Sequence, residues 1–328
     1  MMQRFFTIFG LVFLMVIGFL STGQADPIRW TQEGWKTDFS KTSIDLARVL
    51  SGGPPRDGIP SIDNPQFKAP SEIDFLSDSE PVIGLTINGE AKAYPLQILT
   101  WHEIVNDVVG DVPVAVTYCP LCNSSIVFDR RIDGETLEFG TTGKLKDSNL
   151  IMYDRGGENW WQQFTGEAIV GEATGKRLEL IPSRLQSYAE FKTENPTGVV
   201  LVPNNPNYRD YGRNPYAGYD GSGAPFLYDG QLPDYINPME RVVIIRNSGD
   251  QPIIITMNKI AEAGKLSVED YTLTWTAGQN SALDQSDIQK GRDVGTVLVQ
   301  QNGKDVVYDV TFAFVAHAFH PDVQISQK

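Results

Sequence analysis

The chain has 328 residues, with 27 Lys and Arg against 41 Asp and Glu, a net charge of −14. Hydrophobic residues at 41% and charged residues at 21% are an ordinary globular composition and exclude a wholly disordered chain. The acidic balance, without any run of basic residues, excludes nucleic acid as a partner, because phosphate binding needs clustered Lys and Arg.

Residues 1–25, MMQRFFTIFGLVFLMVIGFLSTGQA, put Arg4 ahead of an apolar stretch over 5–20, followed by small residues at Gly23 and Ala25. That is the pattern of a secretory signal peptide. The stretch is shorter than the ~20 apolar residues of a spanning helix and carries two glycines. The expectation is cleavage after Ala25 and an exported protein, periplasmic or secreted, with no membrane contact afterwards.

Residues 26–78 read as an irregular lead-in, rich in Pro, Asn and Ser over 59–71. A first unit then spans 79–202. Apolar runs at 81–87 and 91–94 around Asn88-Gly89 predict a hairpin. A helix is expected over 96–107, where Ile98, Trp101 and Val105 share a face with His102. A strand over 112–118 delivers Cys119 and Cys122, and a second hairpin turns at Asp133-Gly134. Ser183 and Gln186 have capping-box spacing for a helix that Pro196 ends.

The segment 203–238 holds six of the twelve tyrosines among Asn, Pro and Gly. A loop this long is usually functional or disordered, and its tyrosines favour an ordered loop draped over the body. Over 239–328 the earlier order recurs. Residues 240–250 match 80–90 without a gap, a helix is expected near 258–263 and a strand at 271–276. A hairpin follows across Asn302-Gly303, then a strand over 311–320 with His317 and His320 on opposite faces. This predicts a β-rich α+β fold, two related hairpin-helix-strand units from an internal duplication around one or two cores. The positions matching Cys119 and His102 fall near Thr276 and 261–262, so the second unit lacks the reactive side chains.

The runs WHEIVND at 101–107, VTYCPLC at 116–122, LIMYDR at 150–155 and RDYGRNP at 209–215 resemble a family of bacterial and archaeal proteins known as domain-of-unknown-function family 3179. The resemblance covers roughly residue 59 to the end and implies no particular activity. Some members carry Thr at the position of Cys122, which puts a compulsory two-thiol mechanism in doubt and spares His102 and Cys119.

Cys119 and Cys122 are the only cysteines, and two so close in sequence cannot staple a fold of this size. Three chemistries fit them. As thiolate ligands with His102 they would make a Cys₂His set for Cu(I), or for Zn with an open fourth position, and Met152 would add a thioether for copper. A protein that donates or accepts the metal is then the natural partner. As a local disulfide they would stiffen a turn in a binding or structural protein. As a thiol catalyst, Cys119 would be a nucleophile with His102 as its base. Thiol–disulfide enzymes of thioredoxin type set the pair at a helix N-terminus, whereas NSSIVFD at 123–129 reads as strand.

Overall fold

The computed structural model describes residues 27–246 and 251–327. The expected leader at 1–25 and residues 247–250 lie outside the described residues. The fold is β-rich, with several sheets and short helices.

The expected first hairpin pairs Pro81–Ile87 with Glu90–Pro95 across Asn88 and Gly89, both at positive φ as a type I′ turn requires. It sits within a five-stranded sheet completed by Arg184–Ser187, Val199–Val202 and Gln66–Lys68. The helix that follows is shorter than the sequence pattern predicts. It runs Leu96–His102 and stops at Glu103, whose φ of 59° is left-handed. The chain then becomes the strand Ile104–Val109, because Ile104, Val105, Val108 and Val109 favour a pleated surface over a helix.

That strand pairs with Val112–Cys119, which pairs in turn with Ser124–Asp129. The second expected hairpin is a two-stranded ribbon, Arg131–Ile132 with Glu135–Thr136. A five-stranded sheet behind it centres on Phe139–Lys146 and Asn149–Asp154, joined at Asp147 and Ser148. The lead-in is less irregular than expected. It contributes Val49–Ser51 to that sheet and packs Trp30 and Trp35 on Trp160. The capping box near 183 also moves: Ser187 and Glu190 cap the helix Tyr188–Glu194, while Arg184–Ser187 is the sheet strand paired with 81–84.

In the second half, Arg241–Ile245 lies between Ile253–Thr256 and Tyr308–Phe312. The helix Met257–Ala263 ends at Gly264, φ 66°, and the hairpin Lys265–Val268 with Tyr271–Thr276 continues into Thr296–Gln301. The expected strand over 311–320 is a correction. Strand geometry ends at Phe312, and Ala313–Phe319 is a helix burying Ala313, Phe314, Val315 and Ala316. A continuous apolar run of this kind suits a buried helix as well as a strand. His317 and His320 therefore do not straddle a sheet.

The two halves share their cores. Val105, Val116 and Tyr118 cluster with Val243, Ile255 and Leu273, while Cys119, Cys122 and Phe128 cluster with Val242, Phe312 and Phe314. The 203–238 segment carries no strand, only a single 3₁₀ turn at Tyr219–Gly221. It is pinned to the second half through Asp220, which accepts from Arg241, Arg292 and Ser281. No helix among the described residues is long and apolar enough to cross a membrane.

Candidate thiol site

The strand Val112–Cys119 runs directly into the turn that carries both cysteines. Within that turn Cys122 N–H donates to the Cys119 carbonyl at 3.2 Å, and Asn123 N–H to Pro120 at 3.1 Å. Asn123 takes a left-handed φ of 51°, which asparagine tolerates, and the chain re-enters the sheet at Ser124 opposite Cys119. The remaining carbonyls are satisfied from elsewhere in the chain. Cys122 accepts from Thr311 Oγ1 at 2.7 Å, and Leu121 accepts from the Tyr219 hydroxyl at 2.9 Å. The second half and the tyrosine-rich loop thus hold the turn from two sides.

Both cysteines are free thiols and buried, Cys119 at 2% exposure and Cys122 at 0%. The left-handed pair Asp147-Ser148 aims the Ser148 carbonyl at both sulfurs, 3.8 Å from Cys119 Sγ and 3.5 Å from Cys122 Sγ. Asn149 Nδ2 lies 3.5 Å from Cys122 Sγ and donates to Gln163 at 2.7 Å, part of a buried amide network under the site.

The two sulfurs are not equivalent. Burial alone would raise the Cys119 thiol, but its interaction with the Cys122 thiol, then with the backbone amides of Leu150, Cys122 and Leu121, brings it below the ordinary value. Burial and the neighbouring Cys119 sulfur push the Cys122 thiol well up. The two thiols form a coupled pair in which Cys119 ionises ahead of Cys122.

Glu103 is the site residue that the sequence reading missed. It is 8% exposed, and burial followed by the Cys119 charge holds its carboxyl well above the usual carboxylate range. Its backbone carbonyl accepts the Tyr118 N–H at 2.8 Å, opposite the strand end that carries Cys119. Tyr216, partly buried on the loop, has its hydroxyl raised by burial, then by Glu103 and Cys119. The sequence signal for Glu103 is its position directly after His102, at the end of the expected helical face.

His102 serves elsewhere. Its Nδ1 faces the Pro60 carbonyl at 2.8 Å and its Nε2 the Tyr211 hydroxyl at 2.7 Å, so neither ring nitrogen is free for the cysteines. Burial lowers its pKa, only partly offset by Pro60. Tyr211 in turn lines a separate cleft of about 670 Å³ with Gln97, Arg209 and Arg213. Met152 is fully buried in the strand Asn149–Asp154, opposite Trp161, in the same core cluster as both cysteines. Among the described residues, no group of three or more His, Cys, Asp and Glu side chains is arranged to hold a metal ion.

No curated protein and no solved structure matches the chain. The sequence profile of one family matches residues 56–323, and the chain belongs to that family, described as "Protein of unknown function (DUF3179)".

Proposed function

We propose that the protein is a thiol-dependent enzyme in which Cys119 is the nucleophile and Cys122 the thiol that supports and resolves it. The observation that carries this reading is the pair of free, buried thiols held on one turn facing the Ser148 carbonyl, with Cys119 held below the ordinary thiol value and Cys122 above it. A thiolate is the reactive form of cysteine, and stabilising it in a buried site has no structural benefit of its own. A Thr at the position of Cys122 would keep a hydroxyl donor to the sulfur, so Cys119 is the indispensable member of the pair. The three-ligand form of the metal reading places His102 beside the two sulfurs, whereas its ring nitrogens face Pro60 and Tyr211.

Two further elements of the proposal concern setting and origin. Export rests on the leader-like residues 1–25. An internal duplication is supported by the matching succession of hairpin, seven-residue helix, left-handed cap and hairpin after Pro81 and after Arg241. On that alignment Thr276 corresponds to Cys119 and Gly264 to Glu103, and the chemistry belongs to the first unit alone.

The test treats reduced protein at neutral pH with a small neutral electrophile and maps the adduct by mass spectrometry. Stoichiometric modification of Cys119 ahead of Cys122, lost in Cys119→Ser, is the expected result. Modification of neither cysteine in the folded protein would overturn the reading.

A further inference from the structure

We propose that the cleft beside His102 binds a small hydroxylated monocarboxylate of the sugar-acid type. Arg209 holds the carboxylate, and the Tyr211 oxygen accepts from a hydroxyl. The site is separate from the two thiols and does not depend on what Cys119 does.

Two stretches that the thiol chemistry leaves unused meet here. Trp101 and His102 close the helix Leu96–His102, and residues 208–213 belong to the tyrosine-rich loop. The Trp101 indole donates to the Arg213 carbonyl at 3.2 Å, which fastens the loop to the helix end. The Tyr208 and Tyr211 rings stack near-parallel to the His102 ring, with centroids 6.1 and 5.8 Å away. The cleft has a volume of about 670 Å³, ample for a molecule of monosaccharide size.

Arg209 supplies the anion end. Its guanidinium is held over the Tyr208 ring at 4.7 Å and the Trp101 ring at 5.8 Å. Its one hydrogen bond is long, from Nη2 to the Gly58 carbonyl at 3.5 Å. Its Nε is buried and meets no acceptor among the described residues. A buried donor left unpaired is costly, and a pre-positioned guanidinium fork matches a carboxylate.

The opposite requirement comes from Tyr211. The Pro60 carbonyl can only accept, so His102 Nδ1 carries the proton and donates to it at 2.8 Å. In the neutral ring that burial favours, Nε2 is then an acceptor, and the Tyr211 hydroxyl donates to it at 2.7 Å. Tyr211 has no second proton to give, so a ligand that meets its oxygen must bring a donor. Gln97 makes the same demand. Its Nε2 is committed to the Phe75 carbonyl and to Glu80, which leaves Oε1 as an acceptor.

Charge narrows the class further. Five carboxylates line the cleft against three cations, which disfavours phosphates and polycarboxylates and favours a single negative charge. Glu80 accepts from the Ser77 N–H and from Gln97, both at 3.0 Å, and Asp287 pairs with Lys290 at 3.0 Å. Neither is left as a counter-ion for an ammonium, so hydroxyls are the donors that fit.

Isothermal titration calorimetry on the full chain tests this with D-gluconate and D-glucuronate, set against D-glucose, hexanoate and ε-aminocaproate. At least one sugar acid is expected to bind about 10–100-fold more tightly than D-glucose or hexanoate. Arg209→Gln is expected to weaken that binding by a similar factor, and Tyr211→Phe several-fold. Equal binding of D-glucose would remove the role of the carboxylate, and equal binding of hexanoate that of the hydroxyls. Tighter binding of ε-aminocaproate would make the ligand an amino acid. Each of these overturns the proposal, as does unaltered binding in Arg209→Gln or no binding of either sugar acid at millimolar concentration. The comparison among ligands uses the unaltered chain, so it decides the matter even where a variant fails to fold.

Discussion

The hydroxyl of Tyr219 donates to the carbonyl of Leu121 at 2.9 Å and accepts the N–H of Phe226 at 3.2 Å. One phenol therefore ties the tyrosine-rich loop to the turn between the two cysteines. Ser148, whose carbonyl faces both sulfurs, donates its own hydroxyl to Phe226 at 2.6 Å and closes the same cover from the other side. These contacts hold the loop against the turn that carries Cys119.

Tyr219→Phe removes that phenol while keeping its ring in the cluster. It is expected to cost about 1 kcal/mol in stability and to raise the alkylation rate of Cys119 several-fold by loosening the cover. Denaturant titration and timed alkylation measure the two effects. An unchanged alkylation rate would mean that reagents reach Cys119 by another route.

The inequality of the two sulfurs makes a prediction about substitution at Cys122. The Cys122 thiol is the foremost of the groups that lower Cys119. Cys122→Ala is expected to raise the Cys119 pKa, and Cys122→Ser to raise it by less, since a hydroxyl still donates. The pH dependence of Cys119 alkylation reads this directly. A larger rise in the serine variant would reverse the assigned roles.

Glu103→Gly relieves both the left-handed backbone and the buried carboxyl, and is expected to stabilise the protein by roughly 1–3 kcal/mol. The gain depends on pH with a definite sign. The folded carboxyl titrates well above its ordinary 4.5, so the folded state binds more protons than the unfolded one above that pH. Wild-type stability is then lost as pH rises from 4.5 toward the folded value, by at most about 1.4 kcal/mol per pH unit. The advantage of the glycine variant should be smallest near pH 4 and grow upward. Denaturant midpoints across pH check it, and an advantage that shrinks with pH would contradict it.

His320 acts in the opposite direction. Burial first, then Arg246, lowers it to about 4, and its Nε2 has no partner. The unfolded chain therefore binds more protons between about 4 and 6.5, and stability falls as pH drops through that window. His320→Gln should flatten this part of the pH–stability profile. Identical profiles for the two proteins would place the titrating group elsewhere.

Local signals in the sequence carried much of the architecture. Asn88-Gly89 announced its hairpin through a turn that demands positive φ twice, and Tyr271–Thr276 appeared where its alternation put it. The helix after Pro95 was overextended because Val105 continues the helical spacing, while the left-handed kink at Glu103 is set by tertiary context that no period records. The run from Ala313 was misread for a related reason, since a segment buried on all sides has no polar face to reveal its period. At the site, the Cys-x-x-Cys pair marked the turn that buries both thiols, and the tyrosine-rich segment marked the loop that packs over it. Glu103 and Ser148 were invisible because their roles come from backbone direction and from contacts made across the fold.

The central claim is that the Cys119 sulfur ionises ahead of that of Cys122. It is tested most directly by the pH dependence of alkylation at each cysteine, on fully reduced protein, with the adducts resolved by mass. The account predicts that Cys119 reacts first, with an apparent pKa below the ordinary thiol value of 9.0, and that Cys122 stays unmodified through that range. Cys119 titrating at or above 9.0, or Cys122 reacting first, would contradict it.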